Sequence, residues 1–308
     1  MTQEIFRGCI PALMTPCDSE GTPNFDRLVE TATSLIDAGM HAVVYAGSMG
    51  EWPLLSTEDR KRGVKALAGA GIDVIVGTGA QNPKEAAKLA AHAAEVGAKG
   101  IMAIPRLLSR SSVEPAQEAH FRDILKSGLP TVIYNSPYYT YQTREGLFFR
   151  LQQEFSNLVG FKEFGGVAGL DYAAEHLTSK SGADLIVGVD TCVLHGYRYC
   201  GAVGAITGIG NVLPKQILEL IRLCELAAKG DSEAAERARQ LEDALRVLAK
   251  FDEGENLVLY YKYLMGLAGH KGYEYAADPT DKLKESHMGY AQRAYETFLA
   301  FWENWSGD

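Results

Sequence analysis

Along most of the chain, short apolar or β-branched runs alternate with longer amphipathic segments. Short apolar runs bounded by turn residues read as strands, and longer runs with three-to-four spacing read as helices. The strand-like runs are residues 8–14, 41–45, 73–77, 100–104, 131–135, 158–162, 185–189 and 204–207. Asn24 caps a helical segment that runs from about residue 25 to 38 and is closed by Gly39. Another opens at Thr57, with Arg60 and Val64 in its first turns. Asn82-Pro83 places a cap and then a proline at a helix start, and that helix ends near Gly97. Further helical segments cover residues 115–127, 143–155, 170–179 and 191–200. These make eight strand-helix steps over about the first 230 residues, the repeat of a closed (β/α)8 TIM barrel.

An open doubly wound sheet is the rival architecture. It would bring a G-x-G-x-x-G turn just after the first strand. Pro16-Cys17-Asp18 stands there instead, and Gly47-Ser48-Met49-Gly50 lacks the third glycine and follows the second strand. The barrel is therefore the expected fold. From Pro214 onward the pattern becomes wholly helical, with segments near residues 214–229, 232–250, 254–269 and 282–305. Gly230-Asp231 and His270-Lys271-Gly272 punctuate them. We assign residues 1–230 to the barrel and 231–308 to a helical extension, packed on the barrel or on a neighbouring subunit.

The composition narrows the function. A net charge of -9 and a pI near 5.4 argue against nucleic acid as a general partner, because neutralising phosphates needs clustered Lys and Arg. An anionic small substrate answers to the local field and stays open. No apolar run is long enough to span a bilayer, and the first residues show no secretory h-region. The five cysteines form no C-x-x-C pair and no zinc spacing, which suggests reduced thiols and a cytoplasmic protein. The seven histidines show no H-x-H, H-x-x-x-H or H-E-x-x-H spacing, so no metal is expected.

Chemistry in this fold sits at the C-terminal ends of the strands. The sixth strand ends in Lys162 and is followed by Gly165 and Gly166. Burial disfavours an ammonium and yields the neutral amine that attacks a carbonyl or imine. The alternative is a strand-end lysine whose head snorkels to water. After the second strand, Gly47, Ser48, Met49 and Gly50 form either an anion nest of backbone N–H groups or simply a tight turn. Tyr134 ends the fifth strand, as a proton donor and acceptor or as a core tyrosine. Arg106, just past the fourth strand, is either a carboxylate binder or a solvated loop residue. Tyr138, Tyr139 and Tyr141 line a pocket or pack an interface. Asp190 and His195 are read as helix-start and surface residues.

Several ordered strings resemble the dihydrodipicolinate synthase / N-acetylneuraminate lyase family of class I, lysine-dependent aldolase-like enzymes. They are Gly47-Ser48-Met49-Gly50-Glu51, Tyr134-Asn135-Ser136-Pro137, Phe161-Lys162-Glu163 and Gly204-Ala205-Ile206-Thr207-Gly208, and the resemblance runs from about Gly8 to Leu267. It implies a (β/α)8 barrel with a C-terminal helical extension, a homotetramer, a Schiff base on Lys162 and proton shuttling by Tyr134. It also implies that Ser48 and the Met49 amide hold the substrate carboxylate; Gly47, Tyr139, Arg106 and Ile206 are further candidate substrate contacts. No metal or organic cofactor is implied, because a protein iminium is itself the electron sink.

The departures are informative. The synthases place an arginine shortly after the Y-N-x-P string, where this chain has Tyr138-Tyr139-Thr140. They also carry a tyrosine pair after the proline that ends strand four, where Pro105 is followed by Arg106-Leu107. Both count against condensation with aspartate semialdehyde. The fuller strings, Tyr45 to Leu55, Ile104 to Arg110, Tyr134 to Tyr139 and Phe161 to Gly166, look closest to a 1-pyrroline-4-hydroxy-2-carboxylate deaminase subgroup of hydroxyproline catabolism. Its product would be 2,5-dioxopentanoate, with release of ammonia. The expected substrate is thus a small carboxylated imine or 2-keto acid. The alternatives are another lyase of the same family, acting on a 2-keto-3-deoxy acid or as a synthase, or a binding barrel without catalysis.

Overall fold

The computed structural model describes residues 4–110, 112–249 and 257–305. Eight parallel strands form one sheet: β1 Gly8–Pro11, β2 Val43–Tyr45, β3 Val74–Gly77, β4 Gly100–Ala103, β5 Thr131–Asn135, β6 Leu158–Glu163, β7 Asp184–Val187 and β8 Gly204–Thr207. Neighbours pair in the order β1-β8-β7-β6-β5-β4-β3-β2, and the seam between β1 and β2 closes through a parallel bridge from Ala12 to Val44. There Leu13 N–H donates to Val44 O at 2.8 Å. β1 is shorter than the apolar run 8–14 predicts. Pro11 has no N–H to give a neighbouring strand, and the chain leaves the sheet just after the bridge.

Strands β2 to β8 are buried from end to end, as expected of a parallel sheet covered by helices. The covering helices are α1 Phe25–Asp37, α2 Thr57–Gly69, α3 Pro83–Glu95, α4 Glu114–Leu125, α5 Glu145–Glu154, α6 Gly166–Ala173, α7 Ser179–Ser181, α8 Val193–Cys200 and α9 Pro214–Ala228. Their starts follow local chemistry. Asn24, Ser56 and Asn82 each accept a hydrogen bond from a first-turn N–H, and Pro83 occupies the position whose N–H would be orphaned anyway. The helix expected over 170–179 begins earlier, at Gly166, and passes through a π-helical turn over Ala174–Thr178 before α7.

Three more helices follow: α10 Ser232–Leu245, α11 Leu257–Leu267 and α12 Glu285–Asn304. α10 packs on α9 and α8, and α12 packs on α11 and α10. Part of the helix expected over 254–269, and Lys250 of the one before it, lie outside the described residues. Apolar side chains of strands, covering helices and α9 to α12 share one buried cluster, from Phe6 through Phe161 to Phe298. No described helix is long and apolar enough to cross a membrane.

Candidate active site

Alternation along β5 and β6 decides which side chains enter the barrel. Phe161 packs edge-on against Phe148 of α5, and Glu163 lies against Gly165 and Gly169 at the start of α6, so both face outward. Lys162 between them faces inward, as the two-residue period of a strand requires. Its cross-strand partner is Tyr134 on β5. The two meet at the C-terminal end of the barrel, in a cavity of about 380 Å³.

Lys162 is 5% exposed. Its Nζ lies 3.6 Å from the centroid of the Tyr134 ring and 3.8 Å from Met102 Sδ. Gly188, at the end of β7, makes room for it. A Cβ there would stand 2.9 Å from both Lys162 Cε and Glu163 O. Behind the lysine, Glu163 accepts from Asn135 Nδ2 at 3.0 Å and from Gly165 N–H at 2.6 Å, which fixes the ends of β5 and β6 together. Burial raises the Glu163 carboxyl, and these bonds oppose the rise.

Tyr134 and Tyr139 stand edge to face, with ring centroids 5.3 Å apart. The Tyr139 hydroxyl is hydrogen-bonded to both Ser48 and Tyr134. Burial pushes the Tyr134 phenol well above its ordinary range, with the neighbouring Tyr139 adding to the effect, so Tyr134 stays protonated at neutral pH. Burial likewise raises Tyr139. Ser48 opens a short 3-10 turn, Ser48–Gly50, after extended Gly47. The leading N–H groups of such a turn have no partner within it and point outward. Gly47, Ser48 and Met49, at the start of this turn, form one wall of the cavity.

Of the residues singled out from sequence, Lys162, Tyr134, Gly47, Ser48, Met49, Tyr139 and Ile206 all line this cavity. Arg106 does not. The loop that carries it is pinned to α4: Gln117 Oε1 accepts from Arg106 N–H at 2.9 Å, and His120 Nε2 donates to Ile104 O at 3.0 Å. Desolvation lowers this histidine to about 4, so it is neutral and structural. The three tyrosines after β5 separate. Tyr139 is inside, Tyr138 is exposed at the cavity rim, and the Tyr141 hydroxyl reaches Glu114 Oε2 at 3.5 Å.

The surface reading of Asp190 is corrected. It is 4% exposed and lines the cavity. Its Oδ2 accepts from Gly208 N–H at 3.0 Å and Ile209 N–H at 2.8 Å, and from the Tyr261 hydroxyl at 3.4 Å. Burial pushes its carboxyl up to about 6, against the pull of those donors and of Lys162. The signal missed in the sequence was the run Gly208-Ile209-Gly210, whose amides need an acceptor once the loop is buried. His195 keeps its surface place. It pairs with Asp171 at 2.7 Å, and Cys200 Sγ donates to the same oxygen at 3.4 Å. These three are the one group of metal-ligating side chains gathered among the described residues. It lies on α6 and α8, outside the barrel cavity.

Comparison with known proteins agrees with this geometry. The 4-hydroxy-tetrahydrodipicolinate synthase of Methanothrix thermoacetophila is 32% identical over 220 residues, covering 70% of this chain and 74% of that protein. The synthase of Aquifex aeolicus is 31% identical over 252 residues, covering 80% and 82%. The crystal structure of dihydrodipicolinate synthase from Aquifex aeolicus superposes with a TM-score of 0.85 at 26% identity, covering 96% of this chain and 98% of that one. A Ruminococcus gnavus sialic acid aldolase shares the fold, with a TM-score of 0.84 at 22% identity over 98% of each chain. A model of the dihydrodipicolinate synthetase family matches residues 5–296. The chain therefore belongs to that family and is an enzyme of its lysine-dependent lyase class.

Proposed function

We propose that the protein is a Schiff-base-forming deaminase of a hydroxylated 1-pyrroline-2-carboxylate. The observation that carries the reading is the Lys162 amine, buried in the cavity 3.6 Å from the Tyr134 ring centroid, with the Ser48–Gly50 turn on the same cavity wall. The choice of substrate rests on the sequence strings from Tyr45 to Leu55 and from Tyr134 to Tyr139, which resemble such deaminases. It is supported by the cavity wall, where Lys162 is the one cationic side chain among the described residues. A substrate with a single carboxylate fits that wall, whereas a second carboxylate would meet no arginine there. Tyr139 occupies the stretch after Y-N-x-P where the synthases carry their arginine.

In the proposed reaction, Lys162 adds to the C=N carbon of the ring. The ring nitrogen takes a proton and leaves as a primary amine, giving an open-chain iminium on Lys162. The iminium acidifies the adjacent C–H, and loss of that proton gives an enamine. The enamine pair expels the hydroxyl beta to the iminium carbon, which leaves as water with a proton from Tyr134. Proton shifts then turn the amine-bearing carbon into an imine. Two hydrolyses release ammonia and free Lys162, so the reaction consumes one water net and yields 2,5-dioxopentanoate. Ser48 and the Met49 N–H hold the carboxylate throughout and keep the imine carbon within reach of Nζ. The likeness to synthases favours a second reading, condensation of a 2-keto acid on the same lysine.

Mass spectrometry after borohydride reduction, with the hydroxylated pyrroline and separately with pyruvate, tests the scheme. The deaminase reading requires ammonia release and an adduct on Lys162 with the pyrroline. An adduct with pyruvate alone, and no ammonia, would select the condensing reading.

A further inference from the structure

Helix α11 reaches the barrel cavity from the C-terminal part of the chain. Leu257 lines the cavity, and the Tyr261 hydroxyl donates to Asp190. The third contact is the more unusual. Lys262 forms an ion pair with Glu51, and the two side chains are only 3% and 5% exposed. Lys262 Nζ also donates to Tyr275 O at 2.9 Å, and Glu51 Oε1 accepts from Ala277 N–H at 2.9 Å. Glu51 thus sits between α11 and the segment that follows it.

Glu51 is also the residue that closes the Ser48–Gly50 turn. Its N–H donates to Ser48 O at 3.0 Å, and its φ of 56° lies in the left-handed region that non-glycine residues avoid. Such a conformation persists only where the surroundings over-determine it. A buried ion pair is, moreover, weak evidence for stability, since apolar residues of similar volume often do as well. Here it joins two segments 211 positions apart, and one end stands three residues from Ser48.

We propose that Glu51 and Lys262 are positioning residues. Their buried pair ties the Ser48–Gly50 turn to α11, so the C-terminal helices set where Ser48 and the Met49 amide stand relative to Lys162. The inference rests on the reading of that turn as the carboxylate anchor. Neither side chain lines the cavity, so each acts through the turn.

The test is a comparison of wild type, Glu51→Gln, Lys262→Met and Ser48→Ala, each full length. The half-saturating pyruvate concentration for borohydride-trapped Lys162 is read by mass spectrometry, beside KM and kcat with the hydroxylated pyrroline. Loss of a shared ground-state and transition-state contact should raise KM and the trapping midpoint about tenfold while kcat stays within about twofold. In the Ser48→Ala background, Glu51→Gln should add less than about twofold, because both act on one anchor. Glu51→Gln keeps an acceptor for Ala277 and guards against a Lys262→Met protein that fails to fold. A lower melting temperature with unchanged KM and midpoint would make the pair merely structural and overturn the proposal. Fully additive effects in the Ser48→Ala background would overturn it as well. If wild type traps pyruvate but releases no ammonia, the deaminase reading fails while the trapping midpoints still decide this one. If wild type traps neither compound, the covalent scheme falls and this inference falls with it.

Discussion

Lys162 on β6 and Tyr134 on β5 are cross-strand partners, and the lysine Nζ stands 3.6 Å from the centre of the tyrosine ring. An aromatic face so close serves either state of the amine. It offers favourable electrostatics to an ammonium or iminium and an apolar wall to the neutral form. The same pairing sets the phenol beside the amine's chemistry, and it follows from strand register rather than from any loop.

Replacing Lys162 by Ala should therefore abolish chemistry while sparing the fold. Turnover should fall by more than about 10³-fold, and the borohydride adduct should vanish. Thermal unfolding should show a midpoint at or above that of wild type, because the substitution removes a buried ionisable group. An adduct retained on another lysine would sink the assignment.

Tyr134→Phe should separate capture from proton transfer. We expect turnover to drop by about 10²- to 10⁴-fold, the usual worth of a general acid. Adduct formation with substrate should survive, because imine capture needs the amine and the carboxylate anchor first. Single-turnover trapping alongside steady-state kinetics checks both halves, and an undiminished kcat would remove the phenol from the mechanism.

Asp190 should leave a mark on the pH dependence of stability. Its carboxyl is held at about 6 in the folded protein against an ordinary 3.8. The folded state therefore binds this proton more tightly than the unfolded chain does. Stability should fall as pH rises from about 4 to 6. Urea unfolding of Asp190→Asn across that window should show a shallower slope than wild type. Identical slopes would mean that the carboxyl titrates normally.

Gly188→Ala tests the space around the amine. Its Cβ would stand 2.9 Å from Lys162 Cε and from Glu163 O, so one of them must move. Overpacking of this kind costs about 1–3 kcal/mol, and the lysine is the more mobile neighbour. Slower adduct formation with a modest loss of stability is expected. An unaltered trapping rate would show that the lysine does not depend on this opening.

Much of the site was legible because its residues sit at strand ends. Lys162, Tyr134 and the Gly47-Ser48-Met49 string occupy positions where a regular period and a turn signal give the element, and the barrel's packing decides the face. Tyr139 was placed at the substrate, but its hydrogen bonds to Ser48 and Tyr134 depend on how a loop folds back, and no local rule gives that path. Arg106 looked equally well placed along the chain and yet stays outside the cavity, because Gln117 and His120 of α4 draw its loop aside.

By itself the sequence determined the order of strands and helices and the barrel, since these follow from hydrophobic periodicity and short-range turn chemistry, and it left open whether Lys162 and Tyr134 face inward. Only the tertiary structure decided that Asp190 is buried against Gly208, Ile209 and Tyr261, and that Lys262 reaches Glu51. In both cases a charged side chain finds partners far away in the chain. Burial together with partners is what turns a residue that reads as surface into part of the interior, and neither property is encoded locally.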